Sequence, residues 1–281
     1  MDRLVFTAHM AQREYRLDRQ VLTNDMANVS TIGFKKALST ANVAVKVSGD
    51  GFDSRFLPRA FTQNLVDMTE GERIVTGRNL DLAMDGKTVL GVQADNGDLA
   101  FTRRGDLQVT ADGILQLVNG SPVLDDKGSP ISVPTGVTLS VRSDGTVLAR
   151  DPNDSASPDL EVAQLMLRDA SQTALMRRED GFFQPVPKID PQSDLIQRDI
   201  NGNPLGAQDP LLYAEGVPAQ DFESGPETPS VSSGVLEGSN VSTVESLVKF
   251  IDHMRNFEMQ TKVIKEMKDN DQSGASMMRL S

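Results

Sequence analysis

The sequence predicts a discontinuous α+β protein. Helices at the two ends form a coiled-coil-like base, extended connecting segments leave it, and an antiparallel all-β domain occupies the middle. Two observations support this fold class. Apolar residues recur in steps of three and four near both termini, as on amphipathic helices. Between residues 80 and 187, short apolar runs alternate with Asx-Gly pairs, a pattern typical of β-hairpins.

The N-terminal stretch, residues 1–34, is predicted to supply the first helix of the base. Its apolar side chains fall on one stripe: Leu4, Ala8, Ala11, Tyr15, Leu22, Met26 and Val29. A Ser-Thr-Ile-Gly sequence follows, and Gly33 suits the left-handed backbone that commonly ends a helix. We therefore expect a helix that stops just before Gly33.

Two extended connecting segments are predicted on either side of the β domain, at residues 35–79 and 188–240. The first contains short apolar pieces with weak periodicity. The second is rich in Pro, Gly, Ser and acidic residues, and no Lys or Arg occurs between Arg198 and Lys249. Such composition favours a linker or an extended return path with little packing of its own.

The central segment, residues 80–187, is predicted to be the β domain because its Asx-Gly pairs favour tight turns with positive φ. The turn pairs are Asp85-Gly86, Asn96-Gly97, Asp112-Gly113, Asn119-Gly120, Asp144-Gly145 and Asp180-Gly181. The predicted strands between them include residues 88–92, 107–109, 114–118, 137–141 and 161–167.

The C-terminal stretch, residues 241–281, is predicted to supply the second helix of the base, from Ser242 to about Lys268. Ser242 and Glu245 have the spacing of a capping box, and residues 242–268 contain neither proline nor glycine. Its apolar stripe runs through Val244, Leu247 or Val248, Ile251, Met254, Phe257, Ile264 and Met267. Such a helix needs a packing partner. Either the N-terminal helix supplies it, or both helices pack separately on the central domain.

Composition and motifs exclude several function classes. The formal net charge of −12 argues against nucleic-acid binding, which needs a basic surface. The absence of cysteine excludes disulfides and thiol nucleophiles. No apolar run approaches a membrane span, and the N-terminus lacks the apolar core of a cleavable signal peptide. Without hydrolase, phosphate-loop or metal-site patterns, we expect no enzyme, cofactor or metal. Two basic pairs, Arg103-Arg104 and Arg177-Arg178, are interpreted as hairpin charges that pair with nearby acids.

Several motifs together resemble one family, the bacterial flagellar axial proteins of the rod and hook. Near the N-terminus, Met26-Ala-Asn-Val29, Thr31 and Gly33-Phe-Lys35 match that family's signature. Further matches are Thr76–Leu82, Phe101–Asp106 and Gly234–Val241. The departures are Asp25 and Met26 for the commoner Asn and Leu, and Lys87-Thr-Val89 where the family has Gly-Phe-Phe. The piece Phe257-Glu-Met-Gln260 is most similar to proximal-rod members.

The resemblance implies a non-catalytic structural subunit of the flagellar basal-body rod, in its proximal part. Such a subunit crosses the flagellar type III export apparatus without a cleaved signal. It then assembles helically with copies of itself and other rod subunits into the shaft that transmits torque across the periplasm. Two alternatives stay open: a distal-rod or hook-type protein, and a secreted protein whose β domain binds a ligand. The implied assembly interface comprises Leu4, Ala8, Ala11, Tyr15, Leu22, Met26, Asn28, Gly33, Phe34, Asn240, Leu247, Ile251, Met254, Phe257 and Ile264.

Overall fold

The computed structural model describes residues 2–38, 43–46, 56–59, 65–152, 158–186 and 221–279. The chain divides into two compact units. The smaller unit comprises Met1–Val29, Ser39–Thr62 and Val241–Ser281, and the larger comprises Ser30–Leu38 and Gln63–Asn240. Both helices belong to the smaller unit, and the strand pairs of the described residues are antiparallel. The α+β class is therefore confirmed.

The smaller unit contains two long helices and one hairpin. Helix α1 spans Asp2–Ala27 and helix α2 spans Thr243–Arg279, while strands β1 (Val43–Lys46) and β2 (Phe56–Arg59) pair with each other. The two helices pack against each other. Ser242 caps α2 as predicted, because its Oγ accepts a hydrogen bond from the Glu245 amide at 3.4 Å.

Helix α2 continues eleven residues past its predicted end at Lys268. The apolar stripe ends there, but residues 269–279 contain no proline, and Gly274 is their only glycine. Periodicity marks where a helix has an apolar face. It does not mark where a polar helix stops.

The larger unit is built from fourteen short strands. They are β3 (Arg73–Val75), β4 (Leu82–Met84), β5 (Thr88–Gln93), β6 (Leu99–Thr102), β7 (Leu107–Val109), β8 (Leu115–Leu117), β9 (Thr138–Val141), β10 (Thr146–Arg150), β11 (Leu160–Gln164), β12 (Leu167–Asp169), β13 (Leu175–Arg177), β14 (Phe183–Pro185), β15 (Val231–Ser233) and β16 (Val235–Glu237). A five-stranded sheet has the order β12-β5-β6-β14-β13, and a three-stranded sheet has the order β11-β10-β9. The remaining pairs are β15-β4, β16-β3 and β7-β8.

The hairpin turns follow the sequence prediction closely. In all six Asx-Gly pairs the glycine has positive φ, from 55° at Gly86 to 101° at Gly120. The main core beneath these hairpins is aliphatic and includes Leu82, Leu90 and Leu107, each fully buried. A second cluster contains Phe101, whose ring meets that of Phe222 edge to face at 5.0 Å.

The larger unit also includes strands from outside residues 80–187. In sequence, β3 precedes the predicted β domain, whereas β15 and β16 belong to the segment expected to be a connecting region. These two strands pair with β4 and β3. The returning chain is held nearby as well, because Arg168 contacts both carboxylate oxygens of Asp221 at 2.9 and 3.1 Å. The described part of residues 188–240 is thus integrated into the β structure.

Candidate functional site

Three family motifs that are far apart in sequence meet at the carboxylate of Glu237. Lys35 ends the N-terminal signature, Arg103 follows β6, and Glu237 ends β16. Their side chains are essentially buried, with exposed fractions of 0%, 0% and 2%. Lys35 Nζ lies 2.5 Å from Glu237 Oε1, and Arg103 Nη2 lies 2.6 Å from Oε2. We call these three side chains the Glu237 cluster.

Arg103 is fully satisfied within the larger unit. Its Nε donates to Glu237 Oε2 at 2.7 Å, and its Nη2 donates to the Met84 carbonyl at 2.9 Å. Its Nη1 donates to the carbonyl oxygens of Gly86 and Thr88 at 2.6 and 2.9 Å. With the ion pair from Nη2, each of the five guanidinium N–H groups has an acceptor, which a buried arginine requires.

Lys35 depends more heavily on Glu237. Its ammonium group also donates to the Thr69 carbonyl at 2.6 Å, and the Gly71 amide donates to Glu237 Oε1 at 2.9 Å. Burial, followed by the positive charge of Arg103, lowers the pKa of Lys35, and the charge of Glu237 only partly opposes this. Glu237 is therefore the group that makes a buried, charged Lys35 tolerable.

Backbone contacts hold the two signature segments together around this cluster. The Gly33 amide donates to the Glu237 carbonyl at 2.7 Å, and the Asn240 amide donates to the Phe34 carbonyl at 3.2 Å. Gly33 has φ of 67°, and a Cβ there would lie 2.5 Å from the carbonyl carbon of Arg103. A glycine is needed at this position both for its backbone conformation and for the close approach.

The Asn240 and Phe34 side chains extend these contacts. Asn240 Oδ1 accepts from the Lys36 amide at 2.7 Å, and Nδ2 donates to the Asp67 carbonyl at 2.9 Å. The guanidinium of Arg177 lies over the Phe34 ring, 4.4 Å from its centre, and also donates to the Lys35 carbonyl. The predicted interface residues Gly33, Phe34 and Asn240 thus make contacts inside the chain.

The basic pairs divide between two kinds of contact. Arg104 pairs with Asp106 at 2.6 Å and Arg178 with Asp180 at 3.0 Å, as the interpretation as hairpin charges expects. Arg103 instead pairs with Glu237, 134 residues away. Spacing alone does not reveal this pair, although both residues lie in motifs that the family shares.

Helix α2 has one covered face. Most of the buried or partly buried side chains of its first seven turns share the side of the helix marked by His253, whose ring lies 5.1 Å from that of Tyr15 on α1. They recur in alternating steps of four and three, the spacing of a coiled-coil seam. We call this the His253 face; its members are Ser246, Phe250, His253, Phe257, Gln260, Ile264 and Met267.

A second apolar face of α2 remains exposed. Ile251 lies about 160° around the helix from His253, at 3.6 residues per turn. We call this the outer face; its members are Val244, Leu247, Val248, Ile251 and Met254, with exposed fractions from 42% to 73%. The single stripe expected from the sequence therefore separates into two. Phe257 and Ile264 belong to the His253 face, and Leu247, Ile251 and Met254 to the outer face.

The N-terminal interface residues lie on α1 or directly after it. Tyr15, Leu22, Met26 and Asn28 are partly buried. The Asn28 side chain donates to the Asn24 carbonyl at 2.9 Å, which closes the last turn of the helix. Leu4, Ala8 and Ala11 are positions of α1 whose side chains lie outside the described part of the chain.

The described residues offer no arrangement for metal chemistry or membrane insertion. No group of three or more His, Cys, Asp or Glu side chains there is placed to hold a metal ion. In the same residues, neither helix has an apolar window long enough to cross a bilayer.

Known proteins match the chain along its whole length. A flagellar basal-body rod protein, FlgF, from Escherichia coli (strain K12) is 33% identical over 281 residues, all of both chains. The chain belongs to the FlgF family of flagellar basal-body rod proteins. The FlgF protein of Salmonella typhimurium (strain LT2) is 32% identical over the same full length. That of Buchnera aphidicola subsp. Schizaphis graminum is 25% identical over 88% of this chain and 87% of its own.

Two family models add detail to this relationship. The model for the FlgE/F/G D1 domain of flagellar hook proteins matches residues 83–149, and that for the C-terminal part of the basal-body rod FlgEFG proteins matches residues 232–277. Arg103 lies in the first match, while Glu237, Asn240 and most of α2 lie in the second. The resemblance to the flagellar axial family is confirmed, and the Glu237 cluster joins its two matched regions.

Proposed function

We propose that the chain is a structural subunit of the proximal flagellar rod and joins neighbouring subunits through its terminal helices. Membership of the FlgF family supports the role as a basal-body rod subunit. The observation that supports the helical interface is the outer face of α2, five large apolar side chains that the chain's own packing leaves exposed. An exposed apolar stripe of this kind marks a surface for association.

The energy available from covering the outer face is substantial. Fully burying a Val, Leu, Ile or Met side chain contributes roughly 1.5–3 kcal/mol, so side chains about half exposed gain roughly 1 kcal/mol each. The five together offer about 5 kcal/mol before the losses of association. Repeated along a filament, contacts of this size favour ordered assembly over free subunits.

The His253 face supports the finer proposal of a coiled-coil-like pair of α1 and α2 within each subunit. Its four/three spacing places Phe250, Phe257 and Ile264 in one seam. Polar His253 and Gln260 interrupt that seam and fix its register at a cost in stability. In this proposal residues 1–34 and 241–281 form the assembly base and residues 80–187 the β domain.

The proposal extends to location and export. The subunit reaches the rod through the flagellar type III export apparatus, without a cleaved signal peptide, and spans part of the periplasm together with other rod subunits. It assembles with copies of itself and with those subunits. Neither catalysis nor nucleic-acid binding has a part in this role, and the net charge of −12 is unfavourable for the latter.

A double substitution on the outer face tests the proposal. Leu247→Gln with Ile251→Gln removes apolar surface but keeps good helix formers. In a strain that carries this variant as its only copy, we expect loss of swimming in soft agar and incomplete basal bodies in electron micrographs. The purified variant should retain its helical circular dichroism, which shows that the chain itself is intact.

The matched control changes two exposed polar residues of the same helix, Asp252→Asn with Glu258→Gln. This control strain should swim and build complete basal bodies. If the Leu247→Gln/Ile251→Gln strain does the same, the outer face is not the assembly surface and the proposal fails.

A further inference from the structure

The Glu237 cluster contains two buried cations and one carboxylate. Among the described residues, Glu237 is the only carboxylate that forms a salt bridge with Lys35 or Arg103. The three side chains come from distant parts of the chain, since Glu237 is 202 residues from Lys35 and 134 from Arg103. The order in which these segments dock therefore decides whether the charge of Lys35 is buried before its carboxylate partner is present.

The two cations differ in what supports them. Arg103 donates to three carbonyl oxygens around the β4–β5 turn, none of which belongs to a terminal segment. Adding the C-terminal segment gives Arg103 a carboxylate partner, and the resulting pair is neutral. Adding the N-terminal segment instead would bury the Lys35 ammonium beside the Arg103 guanidinium, with the Thr69 carbonyl as its one other acceptor among the described residues. Burying an uncompensated charge in this way is strongly unfavourable.

We propose that the two terminal signature segments dock onto the larger unit in a fixed order. Residues 231–240 dock first, through β15, β16 and the Glu237–Arg103 pair. Residues 30–38 dock last, when Glu237 is already present to accept Lys35. Glu237 is the positioning residue that makes the second step depend on the first.

The backbone contacts fit the same order. Residues 231–237 are held by pairing with β3 and β4, which lie outside the N-terminal segment. At the end of the N-terminal segment, Lys36, Ala37 and Leu38 pair with residues 65–67, whereas Gly33 and Phe34, beside Lys35, bond to Glu237 and Asn240. The C-terminal segment thus carries the acceptor and donor groups that Gly33 and Phe34 use.

Single cysteines provide the test, because the chain contains none of its own. Ala37→Cys reports the N-terminal segment, Val231→Cys the C-terminal segment, and Val147→Cys the β core. Ala37 is partly buried, while Val231 and Val147 are 2% and 0% exposed. Rates of thiol labelling in the full-length protein then measure how often each site opens.

Two disruptive variants distinguish ordered docking from docking in which each segment depends equally on the other. Gly33→Val, which places a side chain against the Arg103 backbone, should raise labelling at Ala37→Cys at least tenfold and leave Val231→Cys within twofold. Ser232→Pro, which removes a backbone donor from β15, should raise labelling at both sites at least tenfold. The proposed order would be wrong if Gly33→Val raised labelling at Val231→Cys as much as at Ala37→Cys. It would also be wrong if Ala37→Cys stayed protected in Ser232→Pro.

Removing the charges of Glu237 and Lys35 tests the role of Glu237 itself. This test also replaces Ser232→Pro if that variant unfolds the β core and exposes Val147→Cys. Glu237→Gln should raise labelling at Ala37→Cys at least tenfold while Val147→Cys stays protected. Adding Lys35→Met should restore most of the protection, because the uncompensated ammonium is gone. Failure of Lys35→Met to restore it would show that charge does not govern docking. Glu161→Gln, at a residue whose side chain is 66% exposed and pairs with Arg142, is the control and should change neither rate.

Discussion

Glu237 and the outer face of α2 lie in one family-matched segment, residues 232–277, yet the two have opposite environments. In the cluster, charged side chains from three distant motifs are buried and satisfied entirely within the chain. On the outer face, apolar side chains with the spacing of a helix stripe remain exposed. The comparison shows that residues typical of this family are not all contact residues. Some of them fix the fold that presents the others.

The largest effect in this comparison should come from Arg103→Met. It leaves Lys35 and Glu237 without their guanidinium partner and leaves the carbonyls of Met84, Gly86 and Thr88 without a donor. We expect a loss of about 3–5 kcal/mol in the free energy of unfolding, measured by urea denaturation. Arg142→Met, at an arginine 52% exposed and paired with Glu161, should change it by less than about 0.5 kcal/mol. Similar losses in the two variants would show that the buried cluster contributes no more to stability than a surface ion pair.

The next largest effect should come from Gly33, where the N-terminal segment packs closely against the backbone of Arg103. Gly33→Ala adds a Cβ at 2.5 Å from the Arg103 carbonyl carbon, at a residue with φ of 67°. We expect a loss of about 2 kcal/mol or more in the free energy of unfolding. Gly97→Ala, where φ is 85° but nothing lies within 4 Å of the added atom, should lose about 1 kcal/mol. The difference between the two variants measures the steric part, and its absence would contradict the packing described here.

A third prediction compares the two faces of α2 directly. Phe257→Gln removes a partly buried ring from the His253 face, so we expect about 1–2 kcal/mol less stability in the isolated chain. Ile251→Gln, at a side chain 50% exposed on the outer face, should change it by about 0.5 kcal/mol at most. Thermal melting followed by helical circular dichroism provides the measurement. If Ile251→Gln were the more destabilising variant, the assignment of the two faces would be reversed.

The smallest effect is expected at Asp144, a residue in a surface turn that belongs to neither region, and it concerns stability in acid. A hydrogen bond from the Thr146 amide, at 2.9 Å, lowers the pKa of Asp144 from 3.8. Its stabilising contribution is therefore present above pH 3.8 and is lost as the pH falls through the lower folded-state value. Asp144→Asn keeps an oxygen acceptor, so stability at neutral pH should hardly change and the loss below pH 4 should be slightly less steep. An unchanged slope would show that this carboxylate does not contribute.

Local sequence patterns predicted the parts of the fold that depend on neighbouring residues. The Asx-Gly turns and the Ser242 cap follow from backbone preferences within three or four positions. Strands β15 and β16 were not predicted because each is only three residues long and lies in a stretch with several Gly and Ser residues. Their partners β4 and β3 are also about 150 residues away in the sequence. A separation of 202 residues likewise hides the pairing of Glu237 with Lys35, since nothing in the intervening sequence encodes it.

The two faces of α2 were merged for a different reason. Apolar residues occur on both sides of its first three turns, so steps of three and four can be traced from Val244 through Ile251 and also from Phe250 through Phe257. A pattern search follows either path and can cross between them. Only the position of a packed neighbour, here Tyr15 against His253, separates one face from the other.

The unequal lengths of the two helices have a mechanical consequence. Helix α2 has 37 residues and α1 has 26, so α2 is longer by about 16 Å at about 1.5 Å per residue. A pair of rods of unequal length ends in a step. Subunits that pack side by side in the proposed shaft would overlap at such steps. Torque between them would then act partly as shear along the sides of overlapping helices.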